Sequence, residues 1–267
     1  MNKTSIEWVK NPDGSQGYTF NPISGCLNSC PYCYARKLAN TRLRDVYLQE
    51  GRGVLPDALG WLEEDVATDP FYPRFWPDKL EQPMKRKQPA GIFTCDMSDL
   101  FGIGVPEQWT HSVFNFIERC PQHRFYLLTK QPQNLIKFSP FPDNCWVGVS
   151  ATNWLMFSNA LGHLASIQAK VKYLSFEPLL ERIQFDMMQK MLFPRAIDWV
   201  IIGAQTKPYK PPELSWVREI VEAANEAGIP VFLKNNLAPL SGPERLWQGF
   251  HQGQGLRQEL PERRVRV

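Results

Sequence analysis

Six short apolar runs recur at near-regular intervals through the last two thirds of the chain, at 91–95, 124–129, 145–149, 171–176, 199–203 and 230–233. They begin 33, 21, 26, 28 and 31 residues apart. Each interval has room for one strand, one helix and two connections. The intervening 106–119 starts on proline and carries apolar residues at helical spacing, as a helix N-terminus allows. Segments 153–168 and 212–227 read the same way, and Gly228 follows the latter where a helix C-terminus favours glycine. Strand runs that are apolar throughout, rather than alternating, predict parallel strands buried on both faces. A further short strand at 17–20 brings the number to about seven. The expected fold is therefore α/β, a partial (β/α) barrel of about six to seven parallel strands. A doubly wound open sheet has the same rhythm and stays open as the alternative. Neither G-x-G-x-x-G after the first strand nor G-x4-G-K-[ST] occurs, which removes the nucleotide folds built on those loops.

The chain has 267 residues, enough for one large domain or two small ones. The expected organisation is a barrel domain over 1–240 and an extension over 241–267 that ends in a basic tail. Within the domain, 50–75 reads as an insertion or loop rich in Gly, Pro and acids. Thirty Lys+Arg against 27 Asp+Glu give a net charge of +3, too balanced for a histone-like protein. No apolar run approaches the roughly 20 residues of a membrane helix. The first residues lack a signal-peptide core and carry Glu7. The expectation is a cytoplasmic protein with no membrane partner.

Three of the six cysteines crowd into eight residues as Cys26-Leu-Asn-Ser-Cys30-Pro-Tyr-Cys33. Cys95, Cys120 and Cys145 lie 25 residues apart, the scatter of small buried thiols. Three thiolates on one loop can converge on a single metal centre. Zinc would need a fourth ligand, and the nearest histidine is His111. A [4Fe–4S] cluster held by only three cysteines would keep one iron open for chemistry. Both readings stand on the spacing.

C-x3-C-x-aromatic-C, here Cys26, Cys30, Tyr32 and Cys33, resembles the signature of the radical S-adenosylmethionine superfamily. The opening N-P-I-S-G-C, the M-S-D-L-F segment at 97–101 and the strand end L-L-T-K resemble a phage-associated branch of it, over about residues 8–236. The resemblance implies a partial (β/α) barrel with the cysteine loop after the first strand. It also implies an open iron that chelates S-adenosyl-L-methionine and reductive cleavage to a 5′-deoxyadenosyl radical, which abstracts hydrogen from a substrate C–H bond. An external electron donor such as flavodoxin or ferredoxin would be a partner. One departure stands out: Asp96-Met97-Ser98-Asp99 replaces the Gly-Gly-Glu that usually ends the second strand and receives the methionine ammonium.

In a (β/α) barrel, working residues sit at the C-terminal ends of strands. Nearly every strand end here turns from apolar to polar. On the resemblance, Asp96, Ser98 and Asp99 face the methionine ammonium and Ser150 and Asn153 the ribose, with Tyr32 beside the cluster. Lys130 is assigned to the methionine carboxylate, and Glu177 to cofactor or substrate. Cys95, on the same face, is a candidate hydrogen-atom donor, against its role as a small buried thiol. Each position also has a plain structural role, because strand ends leave the core and Ser or Asn often caps the next helix.

The expected function is a radical S-adenosylmethionine enzyme acting on a nucleic-acid base or nucleotide. A phage thymine-type modification of isomerase character fits the resemblance. Aromatics able to stack bases and the cations of 85–87 and the tail lend a little weight. A repair-type lyase or a peptide- or metabolite-modifying enzyme is the enzymatic alternative. A non-enzymatic metal-cluster module that binds nucleic acid is the alternative of another class.

Overall fold

The computed structural model describes residues 1–49, 68–240, 251–252 and 255–261. Most of the expected insertion and of the C-terminal extension lies outside the described residues. The fold is mixed α/β, and its main strands are mostly parallel. The chain divides into two compact units. One comprises Met1–Ser5, Val9–Asn134 and Pro142–Cys145; the other comprises Ile6–Trp8, Leu135–Phe141 and Trp146–Val267.

In the first unit, strands β1 (Asn2–Lys3), β2 (Tyr18–Phe20), β5 (Gly91–Thr94) and β6 (Arg124–Thr129) lie side by side in that order. Only β1 is antiparallel to its neighbour. Ile92 stands opposite Tyr18, and Gly91 opposite Arg124. A separate pair, β3 (Ile23–Ser24) and β4 (Arg74–Phe75), runs antiparallel. In the second unit the order is β7 (Cys145–Ser150, its first residue counted with the first unit), β8 (Val171–Phe176), β9 (Trp199–Ile202) and β12 (Val231–Leu233), all parallel. A hairpin of β10 (Gln205–Thr206) and β11 (Tyr209–Lys210) stands apart. Within each unit the strand order follows the chain. Neither unit contains the part-way reversal that marks a doubly wound sheet.

Every residue of β5, β7, β8, β9 and β12 is buried, which is why these runs read as continuous rather than alternating. The helices bury one stripe each: Trp109, Val113, Phe114 and Ile117 on Glu107–Glu118, and Val217, Ile220, Val221 and Ala224 on Leu214–Glu226. Each large apolar side chain so buried contributes about 2 kcal/mol relative to an exposed one.

Two expectations change. The last part of 50–75 is core structure, because β4 pairs with β3 and Phe71 is buried. Arg74 is fully buried as well, its guanidinium donating to the carbonyls of Asp69 and Tyr72 at 3.0 and 2.9 Å. An arginine reads as surface in a sequence unless its partners are known, and here they are backbone. The second change is in the extension. Residues 255–261 run along β12, with Gln258 bridging Phe232 antiparallel. Arg257 is held by Asn225 and Glu259 rather than presented to a phosphate.

Candidate functional site

The cysteine loop hangs between β3 and a short helix, Tyr34–Ala39. Gly25 opens it. Its N–H donates to the Met97 carbonyl at 2.9 Å, and the next N–H, of Cys26, donates to Phe71 O at 2.8 Å. Gly25 has φ +84°, and a Cβ there would collide with the Tyr72 carbonyl. Backbone conformation and close approach both demand glycine. At the far end, the Cys33 sulfur accepts from Arg36 N at 3.3 Å and caps the helix. Arg36 clasps the loop from below, donating to Cys26 O at 2.9 Å and pairing with Asp69 at 3.6 Å.

The loop rests on a small apolar cluster of Ala35, Ala39, Tyr47, Phe71, Trp76 and Met97, against which Cys26 and Cys33 pack. Cys26, Cys30 and Cys33 are free thiols and half-buried. Burial pushes Cys26 up to about 12, helped by the Asp99 carboxylate and by Cys30 and Cys33. The first cause is the dry wall beneath the loop.

The end of β5 lies in the same unit. Cys95 is buried in a left-handed conformation, φ +66°, and burial pushes its thiol up to about 12. Asp96 accepts from Asn21 Nδ2 at 2.6 Å, and the Tyr34 hydroxyl donates to its carbonyl at 2.7 Å and to its carboxylate at 3.2 Å. Burial raises the Asp96 carboxyl above the ordinary carboxylate range. Ser98 donates to Ile23 O at 3.0 Å. Asp99 is buried, and three donors converge on its carboxylate: Phe101 N, Lys130 N and Asn28 Nδ2. From the end of β6, the Lys130 ammonium stands 5.9 Å from the Tyr32 ring centroid. That ammonium makes no hydrogen bond or ion pair to any described residue.

The remaining sequence candidates belong to the second unit. Ser150 is buried at the end of β7. Asn153 accepts from Met156 N at 2.8 Å and caps the helix Trp154–Ser166. Glu177, after β8, is paired with Lys234 from the end of β12 and accepts from the Trp8 indole at 3.3 Å. Glu177 and Lys234 crowd Gly203, where a Cβ would meet both side chains.

Sequence reasoning missed Asn28, Gln131, Asn21 and Arg36, whereas Lys234 is among the polar strand ends that it marks. Asn28 sits inside the cysteine motif, and its position among the cysteines was the one available signal. The others are single polar residues without a pattern.

Among the described residues, no three His, Cys, Asp or Glu side chains stand as a ready-made metal site. The donor chemistry nonetheless suits a thiophilic group. Three free thiols share one loop, and backbone N–H groups already point at two of the sulfurs, Asn28 N at Cys26 and Arg36 N at Cys33. Such N–H···S contacts are among the groups that tune bound iron–sulfur centres.

A family described as a protein of unknown function (DUF5131) matches residues 3–238. No curated protein matches. Two solved structures are similar. One is a spore photoproduct lyase variant with bound AdoMet and dinucleoside spore photoproduct: TM-score 0.42, 14% identity, covering 84% of this chain and 57% of that one. The other is spore photoproduct lyase complexed with dinucleoside spore photoproduct: TM-score 0.46, 12% identity, covering 85% and 78%. This chain thus spans little more than half the length of the first.

Proposed function

The chain belongs to the DUF5131 family of proteins of unknown function, and for this member we propose radical S-adenosylmethionine chemistry. The observation that carries the reading is the loop 26–33. Three free thiols on it are backed by an apolar wall and tied to the ends of β5 and β6. Cys26, Cys30 and Cys33 would hold a [4Fe–4S] cluster with one iron lacking a protein ligand. When bound and reduced, that cluster supplies the electron that splits the sulfonium of S-adenosyl-L-methionine.

The chain's own contribution is binding, orientation and exclusion of water. Lys130, whose ammonium stands over Tyr32 without an ion-pair partner among the described residues, is assigned to a carboxylate. Asp96 and Ser98 line the strand end where an ammonium would lie. Ser150 and Asn153 are assigned to the ribose, and the Glu177–Lys234 pair to orienting substrate. Cys95 stays a hydrogen-donor candidate whose burial argues for packing. Residues 1–240 form the domain that does this, with 241–267 as its extension. For the substrate we propose a nucleic-acid base or nucleotide, as in a phage thymine-type rearrangement, with an external donor such as flavodoxin or ferredoxin. Its support is the sequence resemblance and the exposed Lys85 and Lys87.

Anaerobic reconstitution with iron and sulfide tests the core of this reading. About four irons per chain and release of 5′-deoxyadenosine on reduction are expected. Both should be lost in Cys30→Ala. Iron binding that survives removal of all three cysteines, or reconstituted protein that leaves S-adenosylmethionine intact, sinks it. Nucleoside mass spectrometry of cells with and without the protein then tests the substrate class.

A further inference from the structure

We propose that Asn28 is a positioning residue that locks the three-cysteine loop to the ends of β5 and β6 before any group binds. Every polar group of this residue is engaged. Its N–H donates to the Cys26 sulfur at 3.4 Å, and its carbonyl accepts from the Cys30 thiol at 3.9 Å. Its Nδ2 donates to Asp99 Oδ2 at 3.0 Å, and its Oδ1 accepts from Gln131 Nε2. Asp99 in turn accepts from Lys130 N at 2.9 Å and Phe101 N at 3.1 Å. One residue thus connects two of the three sulfurs, through its main chain, to two strand ends, through its side chain.

The chemistry of the position requires an amide. It must donate to a carboxylate and accept from a second amide over the same short reach. Aspartate lacks the donor, and alanine lacks both groups. Asp99 is only 5% exposed, so its bond to Asn28 is shielded from water, and breaking it leaves a carboxylate oxygen short of a partner. The next residue, Ser29, holds a left-handed φ of +52°. A non-glycine residue keeps that conformation only where its surroundings impose it, and the anchored Asn28 does so. On this assignment Asp99 acts through Asn28 instead of receiving the methionine ammonium.

The purpose of the lock rests on the cluster reading, whereas its geometry does not, and the experiment separates the two. Apo-protein is treated with iodoacetamide, and peptide mass spectrometry follows Cys26, Cys30 and Cys33 against the buried Cys120 and Cys145. Asn28→Ala is expected to speed alkylation of Cys26 and Cys30 on the order of fivefold per hydrogen bond lost. Asn28→Asp, which sets carboxylate against carboxylate, should exceed that. Adding Asp99→Ala to Asn28→Ala should speed alkylation by less than the two single effects combined, a coupling that independent losses would not give. Thermal unfolding shows that each variant is folded. Wild-type alkylation rates in Asn28→Ala, or a double alanine variant whose effect equals the two single effects combined, overturn the proposal. Iron retention under chelator, with the visible spectrum of reconstituted protein, is the second readout. If wild-type protein binds no iron, the proposed chemistry fails while the alkylation series still decides the lock.

Discussion

Asp96 shows how burial alters the acid–base chemistry of a single side chain. Its carboxylate is buried, bonded to Asn21 and Tyr34, and burial raises its folded-state pKa above the ordinary value, about 3.9 in an unfolded chain. Between those two values the folded protein binds more protons than the unfolded chain. Stability from this group is therefore fully present below about pH 4 and falls as pH rises through the raised value. Asparagine has the same shape, keeps an acceptor for Asn21 and cannot ionise. The expected outcome is that Asp96→Asn gains on wild type across that window and holds a constant advantage above it. Urea unfolding at a series of pH values between 3.5 and 7, read as about one measurement per half unit, checks this. A difference that is flat, or that shrinks with pH, contradicts the assignment of burial as the dominant cause.

At the scale of elements, strands were more legible than sites. The strand bounds Arg124–Thr129 and Val171–Phe176 coincide with the apolar runs because strands buried on both faces admit mostly apolar side chains; the buried Lys172 is kept by its ammonium donating to Leu164 O at 2.6 Å. Helices with a clean stripe, such as Leu214–Glu226, were equally plain. The helix Met187–Ala196 was not. Pro194 lies inside it, and Met187, Met188 and Met191 are exposed, so neither propensity nor periodicity marked it. The candidate site was legible where chemistry imposes a spacing, in the three cysteines, and obscure where it depends on partners from distant segments, as with Asn28 and Arg36. Asn153 illustrates the ambiguity. A strand-end asparagine serves equally as ribose contact and as helix cap, and its Oδ1 is committed to Met156 N. Asn153→Ala should cost about 1 kcal/mol of stability and Asn153→Asp close to none, measured by denaturant unfolding. S-adenosylmethionine affinity that falls in both variants would assign the side chain to the ribose as well, and unchanged stability in the alanine variant would remove the cap.

At the scale of the whole molecule, the aromatic side chains among the described residues build core more than stacking surface. In the second unit Trp199 packs edge-on against Trp8, Trp146 and Phe232, with ring centroids 5.9–6.2 Å apart. That core reaches the β12 edge, and the stretch 255–261 covers it. Leu233 N donates to Arg257 O at 2.8 Å and Glu259 N to Val231 O at 3.0 Å. The Trp199 indole donates to Glu259 O at 2.8 Å, and Glu259 Oε2 accepts from Val231 N at 2.9 Å. A chain ended after Leu240 loses all four bonds and leaves a parallel-sheet edge bare. At about 1 kcal/mol net for each bond, and more for a buried donor left orphaned, the expected loss is about 3–5 kcal/mol. An uncovered edge of this kind also invites pairing with a second chain. The truncated protein should therefore unfold at a lower urea midpoint and elute from size exclusion as larger species at raised concentration. A truncated chain that stays monomeric with an unchanged midpoint would show that 255–261 merely lies on the sheet and does not close it.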